Sequence, residues 1–224
     1  MWLFVAFAVL ASAVFVRLGV WQLHRRQERR ARNALITARL QSPEADISAL
    51  PGDTALARFR RVRVAGIPDY DNELIFAART HRGSPGVNIL TPVRFAGRDT
   101  AVIVNRGWIY AADGATVDLS KWHDRSTTFT GYAEELPSSG GSSYRGRPRI
   151  IARLSVDVIR KALPYAVAPV YVVALGDSAA AEDRVARLSV PPLDDGPHMG
   201  YALQWFAFAV IALVGAGFVL SGRR

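Results

Sequence analysis

Cysteine is absent from this 224-residue chain, and methionine occurs twice, as Met1 and Met199. Without thiols the chain can form no disulfide, run no thiol redox cycle, hold no thiolate-bound metal and pass no copper ion along a cysteine relay. Two thioethers are too few for a methionine-based copper carrier. Proteins outside the cytoplasm do not require disulfides, so the missing cysteines leave the compartment open. Lysine is also scarce. Lys121 lies in the charged stretch Lys121-Trp122-His123-Asp124-Arg125 and Lys161 in an amphipathic segment, so neither is desolvated as a Ser/Lys hydrolase requires. His81 and His123 could be combined with Asp69 or Asp124 into a triad or metal site, but the chain has no G-x-S-x-G nucleophile motif. No enzymatic activity is expected. The net charge of +9 brings no groove-reading motif with it, which argues against nucleic acid as a partner.

Apolar residues cluster at the two ends, from Met1 to Leu23 and from Met199 to Leu220. A bilayer core takes roughly 20 apolar helical residues to cross, and both runs reach that length. Ala11-Ser12-Ala13 has the small residues of a signal-peptidase site, but a basic leader is missing and the apolar run continues to Trp21, so a retained span is expected. Trp21, Trp2 and Trp205 suit interfacial anchors, and Arg17 interrupts the first run where its side chain can snorkel to headgroups or face a partner. The expected fold is a two-helix transmembrane hairpin, 1–23 and 198–220, with an inserted α+β, mostly antiparallel β, extramembrane domain over 24–197. An insert of about 175 residues is large enough to bury its own core.

Six arginines precede residue 33 (Arg17, Arg25, Arg26, Arg29, Arg30 and Arg32) against Glu28 alone, and Arg223 and Arg224 follow the second span. A strict count places the middle domain in the cytoplasm. The rule weakens for loops longer than about 60 residues, and Asp194 and Asp195 precede the second span on the same side, so charge alone leaves orientation open.

Beyond the first span helical propensity persists from Arg25 to Leu40, until Pro43. Short β-like segments follow at Phe59–Ile67, Glu73–Ala78, Val87–Phe95, Ala101–Tyr110 and Thr127–Tyr132, and an antiparallel meander is the natural arrangement. Ala101-Val102-Ile103-Val104 suits a central strand, whereas alternating Arg61-Val62-Arg63-Val64 should be covered on one face. The Ser- and Gly-rich stretch Pro137–Pro148 reads as a loop. Ser155 should cap a helix ending at Leu163, and Ala168–Leu175 should form the last strand.

Two polar-aromatic clusters lie where the spans meet the domain. Leu18-Gly19-Val20-Trp21-Gln22, with Arg25 and Arg29, ends the first, and His198-Met199-Gly200-Tyr201-Ala202-Leu203-Gln204-Trp205-Phe206 begins the second. His198, Tyr201, Ala202, Trp205 and Phe208 recur at helical spacing, so an imidazole, a phenol and two large rings share a stripe. Such a stripe serves either as an interfacial belt or as one wall of a site for a planar apolar ligand. Gln204 falls off the stripe, and its amide would seek an interhelical partner such as Gln22.

These end motifs, together with Ile89-Leu90-Thr91-Pro92, Val104-Asn105-Arg106-Gly107-Trp108-Ile109, Arg61-Val62 leading to Gly66, Arg79 leading to Gly83, and Gly131, resemble the surfeit locus protein 1 family of cytochrome oxidase assembly factors, in order and over nearly the whole chain. The resemblance implies a multi-pass protein of the cell (inner) membrane with its domain on the outer face, supporting heme a delivery to, or stabilisation of, oxidase subunit I. It implies as partners subunit I, the heme a synthesis machinery and membrane lipid, and as cofactor a transiently bound heme a. It carries His198 over as the candidate heme iron contact, with Tyr201, Gln204, Trp205, Trp21 and Gln22 lining the heme or holding the helix pair. Arg25 matches too. Tyr110 stands where the family commonly has proline, and Arg29 where lysine is usual. Asn105-Arg106-Gly107-Trp108 suits a strand-ending turn, or a contact surface with Trp108 exposed. A purely structural oxidase partner without cofactor is the alternative function.

Overall fold

The computed structural model describes residues 2–50, 52–123, 126–176 and 185–222. Met1, Asp124, Arg125, Arg223 and Arg224, which entered the thioether, charge and triad arguments, lie outside the described residues. The chain divides into two compact units, one comprising residues up to Thr37 and from Pro192 onward, the other Ala38–Pro191.

α1 (Trp2–Gln41) is one unbroken helix of 40 residues, all but its last four in the first unit. It is about 60 Å long, roughly twice the hydrocarbon thickness of a bilayer. Proline at 43 cannot continue it, and Ser42 caps the Arg39 carbonyl through its hydroxyl at 2.6 Å. The returning helix, His198–Ser221, has 24 residues. Both contain windows apolar enough to cross a membrane, with mean hydropathy 2.3 and 2.2. A core helix of a soluble protein would bury such a window, but here Leu3, Phe7, Leu10, Ile211 and Phe218 are each at least 66% exposed. Two apolar helices with exposed flanks support a membrane protein.

Small residues make the seam between them. Ala8, Ser12 and Gly19 are buried on α1, facing Ala202, Ala209 and Ala216 at seven-residue intervals on the returning helix. Their size lets the backbones approach. The Ser12 hydroxyl lies 2.8 Å from the Ala8 carbonyl and 3.1 Å from that of Ala209 across the seam. A β-carbon at Gly19 would sit 2.5 Å from Phe206 Cε1. Gly19→Ile is therefore expected to wedge the helices apart at a cost of about 1–3 kcal/mol, read as a lower thermal midpoint in near-ultraviolet circular dichroism. Gly200→Ala, whose β-carbon meets nothing within 4 Å, should leave the midpoint level or higher.

The second unit is a mixed sheet with two short helices. In chain order its elements are β1 (Ala45–Asp46), α2 (Thr54–Ala57), β2 (Arg61–Ala65), β3 (Ile67–Pro68), β4 (Leu74–His81), β5 (Ser84–Arg94), β6 (Thr100–Tyr110), β7 (Thr128–Glu135), β8 (Ser142–Tyr144), β9 (Arg147–Arg153), α3 (Val156–Ala162) and β10 (Ala166–Ala174), and the returning helix is α4. The sheet order is β1-β2-β7-β10-β6-β5-β4-β9-β8, with β3 added beside β5. The simple antiparallel meander is not found. Hairpins make β4, β5 and β6 antiparallel, but β10 reaches β6 only after α3 has carried the chain around and runs parallel to it, as β9 does to β4 and β1 to β2.

Ala101–Val104 lies in the central, doubly covered strand, as its unbroken apolar run predicts. Val102 and Val104 enter one cluster with Val62, Val64 and Phe129, while Ile103 enters another with Leu74, Leu90 and the α3 residues Val158 and Ile159. On β2 the alternation holds, Val62 and Val64 buried and both arginines exposed. Ser155 caps α3, accepting from the Val158 N–H at 3.5 Å. The expected loop Pro137–Pro148 instead holds β8 and a two-residue turn into β9, because Arg145 and Gly146 both take the positive φ (48° and 73°) that a tight hairpin demands.

Candidate ligand site at the helix pair

Where the two helices of the first unit leave their apolar windows, a strap of α1 arginines holds the segment that leads into α4. Arg29 donates from Nε to the Asp194 carbonyl and from Nη2 to its carboxylate, both at 2.8 Å. This fork needs a guanidinium, so arginine in place of lysine changes the contact as well as keeping the charge. Arg26 and Arg30 share the Asp195 carboxylate at 3.2 and 2.7 Å, and Asn33 donates to the Asp194 carbonyl at 2.8 Å. The Arg30 hydrogen bond holds the Asp195 carboxyl below its usual range. Gly196, at φ +68°, turns the chain beneath this strap, and Pro197 starts α4 without a side-chain cap.

The turn delivers His198 to Gln22, its Nδ1 2.9 Å from Gln22 Oε1. An amide oxygen can only accept, so Nδ1 donates this hydrogen bond and Nε2 is the ring nitrogen left for another partner. His198 also lines a polar cleft of about 220 Å³ with Arg25, Glu28, Arg29 and Arg32. On the bilayer side of His198 the contacts become aromatic. Trp205 stacks on Phe15 at 5.7 Å and 24°, and Phe208 closes on the same ring at 5.8 Å.

Of the six residues the motifs single out, His198 and Gln22 meet directly and Trp205 joins the seam. Tyr201 and Trp21 are 49% and 52% exposed. Trp21 does not face the His198 stripe: it lines an apolar groove on α1 with Val14, Arg17 and Leu18. The expected Gln204–Gln22 pair does not form, because His198 takes the Gln22 oxygen, and Gln204 is exposed with no hydrogen-bond partner among the described residues. Sequence reasoning missed Phe15, whose seven-residue spacing from Ser12's neighbour Ala8 and from Gln22 places it on the inward face. It also missed Asp194 as the acceptor of the arginine strap.

In the second unit, Asn105-Arg106-Gly107-Trp108 is no strand-ending turn. β6 runs on through Tyr110, which pairs with Gly86, so the tyrosine found at the proline position continues the strand. Gly107 takes φ +132°, and its missing side chain admits the Ala186 backbone. Trp108 is half-buried, its ring tilted at 34° against that of His81 at 5.2 Å, and is not an exposed anchor. Arg106 is wholly buried beside Glu73, whose carboxyl burial pushes above its usual range.

The sequence pattern described as the SURF1 family matches residues 9–210. A SURF1-like protein of Monosiga brevicollis is 30% identical over 102 residues, 41% of this chain and 39% of that protein. A SURF1-like protein of Mycobacterium tuberculosis is 25% identical over 227 residues, covering 97% of this chain and 82% of its own length. One of Rickettsia felis is 23% identical over 214 residues, 92% of each chain. The family match begins within α1 and ends within α4, taking in the helix pair and the sheet between them in sequence, and the chain therefore belongs to the SURF1 family, known generally as cytochrome oxidase assembly factors.

Proposed function

We propose that this protein is a non-enzymatic assembly factor for heme-copper cytochrome oxidase, crossing the inner membrane twice with its sheet domain on the outer face, and that it assists delivery of heme a to, or its stabilisation in, subunit I. The observation that carries this reading is the His198–Gln22 hydrogen bond at 2.9 Å, which leaves Nε2 as the ring nitrogen able to meet iron. Among the described residues no group of three or more His, Asp or Glu could hold a bare metal ion. A single imidazole suits a metal that brings its other ligands with it, as porphyrin iron does. The flanking rings of Phe15, Trp205 and Phe208 suit the apolar body of such a ligand, with Tyr201 exposed one turn from His198 on the same helix, whereas Trp21 and Gln204 lie away from the imidazole. The heme is cargo here, received from the synthesis machinery and passed to the oxidase.

Protein purified from cells that make heme a is expected to show a bound heme band in its visible spectrum. His198→Ala should abolish or shift the band, and Gln22→Leu should weaken heme affinity about 10–100-fold by freeing the imidazole tautomer. A wild-type protein without heme, or an unchanged band in His198→Ala, would remove the imidazole contact. For orientation, a reporter active only in the cytoplasm, inserted at exposed Gly140, should be silent, and its activity would place the domain inside.

Arg17 and Gln204, polar yet exposed on the apolar helices, favour a second reading in which the pair docks against oxidase helices without carrying heme. Normal oxidase assembly supported by a heme-free His198→Ala variant would favour it.

A further inference from the structure

The cleft above His198 is too small and too polar for a porphyrin plane. Ligand pockets for drug-sized molecules start near about 300 Å³ and are mostly apolar, whereas this cleft measures about 220 Å³ and is walled by Arg25, Glu28, Arg29, Arg32 and His198. Arg25, Arg29 and Arg32 follow one another at helical spacings of four and three, so their guanidinium groups rise along one side of α1. Their charges are unequally committed. Arg25 pairs with Glu28 at 2.7 Å, Arg29 with the exposed Asp194 at 2.8 Å, and Arg32 makes no ion pair among the described residues. The cleft therefore keeps a net positive charge after its internal pairs are formed.

His198 thus stands between two unlike surroundings. Along α1 towards its C-terminus lie guanidinium groups, and towards its N-terminus lie Phe15, Trp205 and Phe208. That arrangement selects an amphiphile with an apolar body, a nitrogen-binding centre and oxyanions along one edge. Guanidinium forks match carboxylates bidentately, and such charge-assisted bonds are about twice as strong as neutral ones.

We propose that Arg25 and Arg32, with Arg29 between them adding charge while its fork holds Asp194, form a carboxylate-binding rim that takes the propionates of the heme whose iron His198 contacts. This rests on the heme reading above and adds to it a polarity, with propionates towards the C-terminal end of α1 and the ring towards its apolar N-terminal part. Glu28 opposes the ligand's charge, so it limits affinity and favours release.

The test uses the full-length protein in a neutral detergent, titrated with iron(III) protoporphyrin IX and separately with its dimethyl ester, followed by Soret absorbance. The wild type should bind the free diacid at least about tenfold more tightly than the ester, since a hydrogen bond to a charged group is worth roughly that factor. Arg25→Gln and Arg32→Gln should each lower diacid affinity about tenfold and leave ester affinity unchanged. Glu28→Gln should raise diacid affinity, a gain that misfolding cannot mimic. Arg61→Gln, an exposed arginine on β2, serves as the charge control and should titrate like the wild type. Equal binding of diacid and ester by the wild type, or unchanged titration of both arginine variants, would overturn the rim and leave the iron contact standing. Failure of the wild type to bind either porphyrin would overturn the heme reading and the rim together. Loss of phosphatidylglycerol binding by Arg25→Gln and Arg32→Gln with porphyrin affinity unchanged would assign the rim to lipid headgroups and overturn it as well.

Discussion

Arg106→Met is expected to destabilise the sheet domain by about 3–5 kcal/mol, the usual cost of leaving a buried charge without its partner. The Arg106 and Glu73 side chains are 0% and 1% exposed and approach to 3.4 Å. Thr91 donates its hydroxyl to the same carboxylate oxygen, Arg106 donates from Nη2 to the Trp122 carbonyl, and His123 Nε2 lies 3.3 Å from the second carboxylate oxygen. The ring of Tyr70 lies 4.4 Å from His123 and 5.5 Å from the Arg106 guanidinium, closing the cluster. Methionine would fill the space and neutralise nothing. Urea unfolding followed by tryptophan fluorescence measures the loss, and Arg106→Met combined with Glu73→Leu should recover most of it, because the pair is then replaced by apolar packing.

The same cluster predicts a pH dependence. Burial raises the Glu73 carboxyl above the ordinary carboxylate range, while Thr91, Arg106 and His123 pull it back. A group whose pKa is higher folded than unfolded stabilises the fold below its unfolded value, and that contribution is lost as pH rises through the folded one. Removing Arg106 removes a lowering influence, so the Arg106→Met penalty should be larger at pH 7.5 than at about pH 5, where Glu73 can take a proton. An equal penalty at both would count against the assignment of Glu73 as its partner.

Gly107→Val should cost about 3 kcal/mol or more through strain and lost hydrogen bonds. At φ +132° a β-carbon would lie 2.3 Å from the Ala186 carbonyl oxygen. The bridge it would break consists of the Trp108 N–H to Ala186 O at 2.8 Å and the return bond at 2.9 Å, beside which Arg187 donates to the Arg106 carbonyl at 2.6 Å. This bridge ties to β6 the segment that runs towards α4. Limited trypsin digestion should cut after Arg187 much faster in the variant than in the wild type. Gly97→Ala, also at positive φ but with nothing within 4 Å, provides the measure of backbone strain alone, about 1 kcal/mol.

Local signals carried as far as local physics reaches. Two apolar runs, the Ser155 cap, the alternation of Arg61–Ala65 and the unbroken run Ala101–Val104 each express an energy decided within a few residues, and each was legible. The hairpin at Arg145-Gly146 was also written locally, in a glycine at the second turn position, but the Ser- and Gly-rich stretch before it masked a strand only three residues long. His198 and Gln22 could be picked out as polar residues at helix ends; that they bind each other, rather than Gln22 meeting Gln204, depends on how the two helices rotate about their small-residue seam.

Composition and periodicity by themselves determined that this chain has two spans' worth of apolar helix, a β-rich insert and a cationic exit from the first helix, because hydrophobic burial and helix propensity act residue by residue. Only the tertiary structure decided what the charges are for. Arg26, Arg29 and Arg30 meet Asp194 and Asp195 more than 160 residues away, Arg106 is sunk in a sheet where its motif suggests a turn or a surface, and His198 Nδ1 is taken by Gln22 while Nε2 has no hydrogen-bond partner among the described residues. Electrostatic and hydrogen-bond energies depend on which groups share a desolvated space, and that is set by packing between distant segments rather than by neighbours in the chain.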